Sequence, residues 1–488
     1  MKQLSEKLVQ KQNYPERVLQ FGEGNFMRAF VDWQIDKLNK AGFFNGSVVI
    51  VQPIEHGLTD RLNQQDNLYT LILEGVKNGE PVREKQVIDS ISRSINPYVD
   101  KAQYLALAKQ PDLKFIFSNT TEAGIAFDPQ DQLSDRLAKT FPGKLTAFLY
   151  QRYLHFNGDD TKGMYIIPCE LIDRNADKLK ACVLQYIQLW QLEEAFKEWI
   201  ETANQFYCSL VDRIVPGYPG DQANIIEKEL GYRDQLLIVA EHYHLWVIEA
   251  DRHLQERLPV DQIGLNTLFV SDLNPYRTRK VHILNGTHTA MTPVAYLLGL
   301  ETVEQAICDP RVERYLKLLI SQEVTPTLPI ERSELEAYTE SVLERFKNPY
   351  INHQLMSISL NGIAKFATRN LPVLKQYIKQ KQRLPKKLVF AFTSLIYFYR
   401  GRRAEEKITI KDDQAILACF RELWNNFDGS EEAASVLVSQ VLQQEKWWGE
   451  DLTQMNGLTE MMAEMLIDID QNGLEAALVS VIGADTNA

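Results

Sequence analysis

The sequence predicts two fold classes in one chain: an α/β domain built on a parallel sheet, then a mostly helical, all-α domain. Three observations predict it. Short β-branched or aromatic runs alternate with helical patterns in the first third. Strand-like runs become scarce after about residue 271, where long helical patterns take over. At 488 residues, the chain exceeds what one compact core usually covers. The expected domains are therefore 1–271 and 272–488.

RVLQFG (17–22), SVVIVQP (47–53) and LKFIFSNT (113–120) are apolar runs ending in turn or polar residues, and they read as strands. Between the first two, Phe26, Phe30, Trp33 and Leu38 recur at helical spacing. Strand, helix and strand at this length make a βαβ unit, which implies parallel pairing. LYTLILEGV and PVREKQVIDSI flank KNGE, whose Asn78-Gly79 pair is a hairpin signal, so an inserted hairpin is expected. GMYIIPCELI (163–172) and YCSLVDRIV (207–215) supply two further strands. VSDLNPYRTRK then leads into helices over 280–299, 303–322, 332–346, 351–369, 386–400, 412–426, 432–447 and 457–480. There is no internal repeat and no low-complexity segment.

A composition of 45% hydrophobic and 24% charged residues is that of a soluble globular protein. The net charge of −12 argues against general affinity for nucleic acid or an anionic membrane. The five cysteines are scattered, with no C-x-x-C pair, which fits a reducing compartment and offers no zinc or disulfide framework. The amino terminus lacks an apolar signal region. The longest apolar run, Leu388 to Tyr399, is shorter than the roughly 20 residues a membrane span needs and reads as a buried helix. A cytoplasmic location is expected.

The first strand runs into Gly22-Glu23-Gly24-Asn25-Phe26-Met27-Arg28. A dinucleotide fingerprint wants glycine at the first turn position and again two residues on, where backbone must approach a pyrophosphate at a helix amino terminus. Gly22 and Gly24 fit, whereas Met27 holds the third glycine position. The context (after a strand, opening a helix, inside a βαβ unit) supports a Rossmann-type nucleotide domain. Phe21, Gly22, Gly24, Asn25, Phe26 and Arg28 are the candidates on this turn, with Arg28 either a charge near a phosphate or an ordinary surface arginine. The second strand ends in Val51-Gln52-Pro53 with Glu55 the nearest acid and no basic cluster for a 2′-phosphate, which favours NAD. Asn119, Thr120, Thr121 and Glu122 close a later strand, where the nicotinamide half would lie; a surface loop is the competing reading.

KVHILNGTHT places Lys280, Asn285 and His288 in one apolar stretch. At about 100° per residue, Asn285 lies about 140° from Lys280, with His288 between them on one broad face. Reducing a ketone with hydride requires a proton donor to the forming alkoxide and donors that hold its growing charge. An ammonium group in a low-dielectric setting can serve as that donor, and an amide and an imidazole can supply oriented hydrogen bonds. No metal is required for such chemistry. The alternative is a helix edge where polar side chains reach water. His242 and His244 alternate as strand ligands would, but no third ligand is near and both read as structural.

VLQFGEGNFMRAFVDWQID, FSNTTEAGI, PCELID, LVDRIVPGYP, RKVHILNGTHTA and RFKNPYINHQLMSISLNGIAKFATR occur in this order. Together they resemble the long-chain, metal-independent mannitol dehydrogenase family of polyol and uronate oxidoreductases, over essentially the whole chain. The resemblance implies an NAD-binding Rossmann domain and a helical domain with the active site in the cleft between them. It maps the general acid/base onto Lys280, the oxyanion-holding asparagine onto Asn285 and a substrate-contacting histidine onto His288. It carries the glycine turn to Gly22 and Gly24 and the aspartate of the VDRI motif to Asp212. One departure stands out: where the family has a second oxyanion-hole asparagine after a Cys-Asp pair, this chain reads Cys169-Glu170-Leu171. Either Asn285 acts with other help, or Asn175 reaches the site.

The implied substrate is a small sugar acid, a hexuronate or its aldonate, whose carboxylate needs a partner. His353, Lys365 and Arg369 are the candidates; the last two stand at i and i+4 on one helix face, and arginine pairs well with a carboxylate. An exposed basic helix face is the competing reading. Epimeric hexuronates and neutral polyols remain open as substrates. A non-catalytic NAD-dependent sensor and a sugar isomerase are readings from other classes.

Overall fold

A computed structural model describes residues 1–483 apart from Asn78, Glu122 and Asp135. It comprises two compact units: Met1–Gly75 with Val82–Leu273, and Val76–Pro81 with the chain from Asn274 on.

The first unit is built on six strands: β1 (Glu16–Phe21), β2 (Ser47–Val51), β3 (Ile91–Ile95), β4 (Phe115–Ser118), β5 (Tyr165–Pro168) and β6 (Gln205–Phe206). Their order is β3-β2-β1-β4-β5-β6, all parallel. Period-two alternation gives each strand two apolar faces. Val18, Val48, Ile50, Phe115, Phe117 and Ile167 pack on one side with helix α1 (Asn25–Lys40). Leu19, Phe21, Val49, Val51, Ile116 and Ile166 pack on the other. The order reverses between β1 and β4, and in open parallel sheets the crevice at the carboxyl ends of such a pair is where ligands bind.

The YCSLVDRIV strand departs from expectation. Only Ser209–Asp212 is extended, and it joins a separate sheet, antiparallel to Leu245–Glu249, which pairs in parallel with Thr267–Val270. The hairpin strands Tyr69–Lys77 and Glu80–Ile88 form another three-stranded sheet with Ile238–Glu241. Gly79 has a φ of +82°; Asn78, the other half of the expected turn, lies outside the described residues.

The second unit is helical around the buried helix Lys386–Phe398, the apolar run read as core. Several expected helices are interrupted for local reasons. The 303–322 pattern splits into Val303–Cys308 and Pro310–Leu319, because Pro310 cannot continue the first helix and Asp309 caps the second. The 351–369 pattern splits into Leu355–Ile358 and a helix ending at Arg369, with Asn361 between them in the left-handed region at φ 54°. Leu371–Lys381 is a helix the apolar pattern did not announce. Leu458–Gly483 breaks at Gly473, where φ is 81° and ψ 156°. Among the described residues no helix is long and apolar enough to cross a membrane.

Candidate active site

The Lys280–Asn285 segment is a π-helical turn, entered from the α-helix Asn274–Arg279 and leaving into α2 (Gly286–Leu297). The Gly286 amide donates to the carbonyl of Val281, five residues back. This revises the angular argument. An i to i+5 ring lays residue i+5 roughly one turn above residue i, so Lys280 and Asn285 approach one line instead of standing about 140° apart. Both are half-buried. The side-chain amide of Asn285 makes no hydrogen bond among the described residues. Arg279, just before the turn, is sandwiched between the rings of Tyr276 and Tyr338, 4.6 Å from each, and pairs with Glu334.

His288 follows in the first turn of α2, buried. Its ring stacks on Phe346, the last residue of α3 (Arg332–Phe346), at 4.2 Å and 19°, and meets His353 edge-on at 5.3 Å. Lys365 and Arg369 project from α4 (Gly362–Arg369). Lys365 Nζ donates to the Ile358 carbonyl at 2.8 Å, and Arg369 Nη1 donates to Thr289 Oγ1 at 3.2 Å. Burial, and then the neighbouring Arg369, lowers the Lys365 pKa; burial, and then Lys365, lowers that of His353; burial lowers that of Arg369. Basic groups held together against water and one another favour a bound anion, which would relieve both costs. The structure thus brings His288, His353, Lys365 and Arg369 into one cluster next to the lysine turn.

Two bonds tie that turn to α4. The Arg369 carbonyl can only accept, so His282 Nδ1, at 2.7 Å, carries the proton. Asn370 Nδ2 donates to the Gly286 carbonyl at 3.1 Å. His282, Thr289, Phe346 and Asn370 escaped the sequence reading. His282 sits inside the quoted motif and Asn370 beside Arg369, so only adjacency in sequence signalled them.

In the first unit, Gly22 ends β1 with φ at +117°, and a Cβ there would lie 2.8 Å from the Asn119 carbonyl oxygen on the neighbouring strand end. Only glycine fits that turn. Gly24 is the N-cap of α1, with no side chain capping the first turn and nothing within 4 Å of where its Cβ would stand. Backbone amides with open space above them suit a pyrophosphate. Met27, in place of the third glycine, is buried in the core between helix and sheet.

The remaining candidates of this turn divide. Phe21 is a core side chain against Tyr104 and Phe141. Phe26 stacks on Phe30 at 5.0 Å. Arg28 corrects the surface reading: it is 2% exposed and donates to Glu23 O, Leu236 O and Asn25 Oδ1. It braces the turn from beneath. Asn25 in turn lies against Gly217, whose added Cβ would fall 2.3 Å from Asn25 Nδ2.

On the β4 side, Asn119 Nδ2 donates to the Cys169 carbonyl at 2.8 Å. Thr120 donates through its amide and its hydroxyl to Glu170, each at 3.0 Å, and Ser118 donates to the other carboxylate oxygen. Thr121 holds a φ of +80°, a strained value for a β-branched residue. Glu122 lies outside the described residues. Asp212 is buried at the end of its strand in the separate sheet. Leu171 is 57% exposed. Asn175 is buried and committed: its amide donates to Pro168 O, Glu170 O and Ser209 O, and its oxygen accepts from the Ser209 amide. That network anchors the end of β5 and leaves no donor for a substrate oxygen. Among the described residues no group of three or more His, Cys, Asp or Glu could hold a metal ion.

Comparisons with known proteins identify the family and the fold. Residues 16–262 match the model of the mannitol dehydrogenase Rossmann domain, and residues 272–470 match that of the mannitol dehydrogenase C-terminal domain. The altronate oxidoreductase of Bacillus subtilis (strain 168) is 53% identical over 465 residues, 95% of each chain. That of Escherichia coli O7:K1 (strain IAI39 / ExPEC) is 46% identical over 479 residues, 98% of this chain and 99% of the relative. Among solved structures, a D-sorbitol dehydrogenase in substrate-free form aligns with a TM-score of 0.80 at 21% identity, covering 98% of this chain and all of that one. The Pseudomonas fluorescens mannitol 2-dehydrogenase ternary complex with NAD and D-mannitol aligns at 0.71 and 21%, covering 99% of this chain; both likenesses speak for the fold. A six-stranded nucleotide-type sheet, a helical unit carrying the lysine turn, and matches spanning both halves leave one assignment: the chain belongs to the mannitol dehydrogenase family and is an oxidoreductase acting on CH–OH groups.

Proposed function

We propose that the chain interconverts D-altronate and D-tagaturonate with NAD(H). The observation that carries this reading is the meeting, in the helical unit, of the Lys280–Asn285 turn with the basic cluster of His353, Lys365 and Arg369. The first offers proton and hydrogen-bond chemistry to a carbonyl oxygen, and the second offers charge to a carboxylate. The name of the relatives, altronate oxidoreductase, points to altronate as one member of that pair.

The first unit would hold the dinucleotide at the turn that Gly22 and Gly24 shape, on the amides that open α1, with Asn119 and Thr120 lining the β4 side of the crevice. The glycine turn, the sheet order and the lack of a basic cluster after β2 support NAD. When bound, the nicotinamide supplies or accepts the hydride. Lys280 gives its proton to the ketone oxygen in reduction and takes it back in oxidation. Asn285, whose amide is uncommitted, holds the oxyanion, and His288 orients the substrate hydroxyls. With Leu171 in place of a second asparagine, the oxyanion rests chiefly on Asn285 and Lys280.

Absorbance at the nicotinamide band, read with a panel of hexuronates, aldonates and neutral polyols against NADH and NADPH, tests the proposal. Lys280→Ala is expected to lose on the order of 10³-fold or more in kcat while NADH binding stays within about twofold. Equal turnover of a neutral polyol and its uronate counterpart would refute the carboxylate site. No nicotinamide oxidation with any of them would refute the redox reading.

A further inference from the structure

Three links join the carboxylate-side arginine to the lysine turn, and they touch the turn at different points. The Arg369 guanidinium donates to Thr289 Oγ1 at 3.2 Å, and that hydroxyl donates to the carbonyl of Asn285, the last residue of the turn, at 3.0 Å. The Arg369 backbone carbonyl accepts from His282, the third residue of the turn. Asn370, next in sequence, holds the Gly286 carbonyl where the π turn passes into α2. A π turn is a local departure from the regular ladder and needs such outside support to keep its shape. Here much of that support comes from the residue best suited to bind a carboxylate and from its neighbour.

We propose that Thr289, His282 and Asn370 are positioning residues that convert carboxylate binding at Arg369 into correct placement of Lys280 and Asn285. The inference rests on the functional reading above and deepens it by naming how the site discriminates. An arginine engaged by substrate is fixed in place, and through Thr289 and the two backbone links it fixes the turn. A substrate lacking the carboxylate leaves Arg369 free to shift, and the turn with it. Remote binding energy spent on orientation appears in kcat, and a displacement near 1 Å at the reacting atoms costs on the order of 10²-fold. Selection for the sugar acid over the neutral sugar would therefore be expressed in turnover as well as in KM.

The test compares the keto-uronate with the neutral ketohexose of the same configuration, with saturating NADH, on the full chain. Wild type is expected to turn over the keto-uronate about 10²-fold faster. Thr289→Val keeps the shape and removes the hydroxyl: kcat for the keto-uronate falls about tenfold with KM within about twofold, so the ratio between the two substrates shrinks by the same factor. Thr289→Ser restores the ratio. His282→Phe repeats the loss by the independent link, and His282→Asn, which keeps a donor in place of Nδ1, recovers part of it. Equal losses of kcat on both substrates would reduce these residues to structural supports and overturn the proposal. A change in KM alone would do the same. Wild type indifferent to the carboxylate would sink the functional reading itself, and this inference with it, whatever the variants do.

Discussion

Asp32 lies on α1 one turn beyond Arg28, fully enclosed, and its Oδ2 accepts from Gln20 Nε2 at 3.1 Å. The same Gln20 nitrogen donates to the carbonyl of Gly22 at 2.9 Å. Burial drives the Asp32 carboxyl up to about 7 from its ordinary 3.8, against the opposing pull of the Gln20 hydrogen bond and the Arg28 charge. The folded value lies above the unfolded one, so the folded chain binds the extra proton. Stability from this group is therefore full below about pH 4, falls as pH rises, and levels off above about pH 7. A shift near three units corresponds to roughly 4 kcal/mol at most. Asp32→Asn fixes the neutral form and keeps an oxygen for Gln20 to bond. It should stabilise the first unit by about 2–4 kcal/mol at pH 8, and by about 2 kcal/mol less at pH 5. Asp36, also near 7 through burial, is common to both proteins and drops out of the difference. Scanning calorimetry of both proteins at the two pH values reads the effect as a gap in melting temperature that widens with pH. A variant that is destabilised equally at both would show that Asp32 is ionised and paired with Arg28 in the folded chain, and the reasoning would fail.

Other outcomes follow from single contacts. Gly22→Ala places a Cβ 2.8 Å from the Asn119 oxygen at a left-handed φ, a strain of about 1–3 kcal/mol; fluorescence titration should show NADH affinity down about tenfold or more. Asn175→Ala strands several buried groups at the end of β5 and should cost about 2–4 kcal/mol in calorimetry. Arg369→Met should raise KM for the keto-uronate by roughly 10- to 100-fold, the worth of a charge-assisted pair, with NADH binding unchanged in the same titration.

The parallel sheet was readable because its strands are short apolar runs with both faces buried, and such runs carry their own boundaries: Ser47–Val51 is buried at every position. The lysine turn was readable in composition and not in geometry. Periodicity assumes one angle per residue, and nothing in KVHILN announces a wider ring. Arg28 read as a charge near a phosphate or as a surface arginine because its actual partners, such as the Leu236 carbonyl, are set by tertiary folding. Asn175 looked available for the same reason. The helix Leu371–Lys381 was hidden by its many lysines and glutamines, which occupy its outer face while Leu371, Val373, Leu374 and Tyr377 are buried. The basic cluster was legible residue by residue from the resemblance, but its closeness to His288 needed the fold.

A π turn amounts to an α-helix with one surplus residue. Excising any single position between Lys280 and Asn285 would let the ladder close in its ordinary register, with the amine four residues before Asn285 and still about one turn from it. The helical unit would keep most of its packing, and the amine and the Asn285 amide would stay in line. One amino acid of added length thus widens the ring that carries His282 and its bond to the Arg369 carbonyl, while leaving both ends of the turn in line.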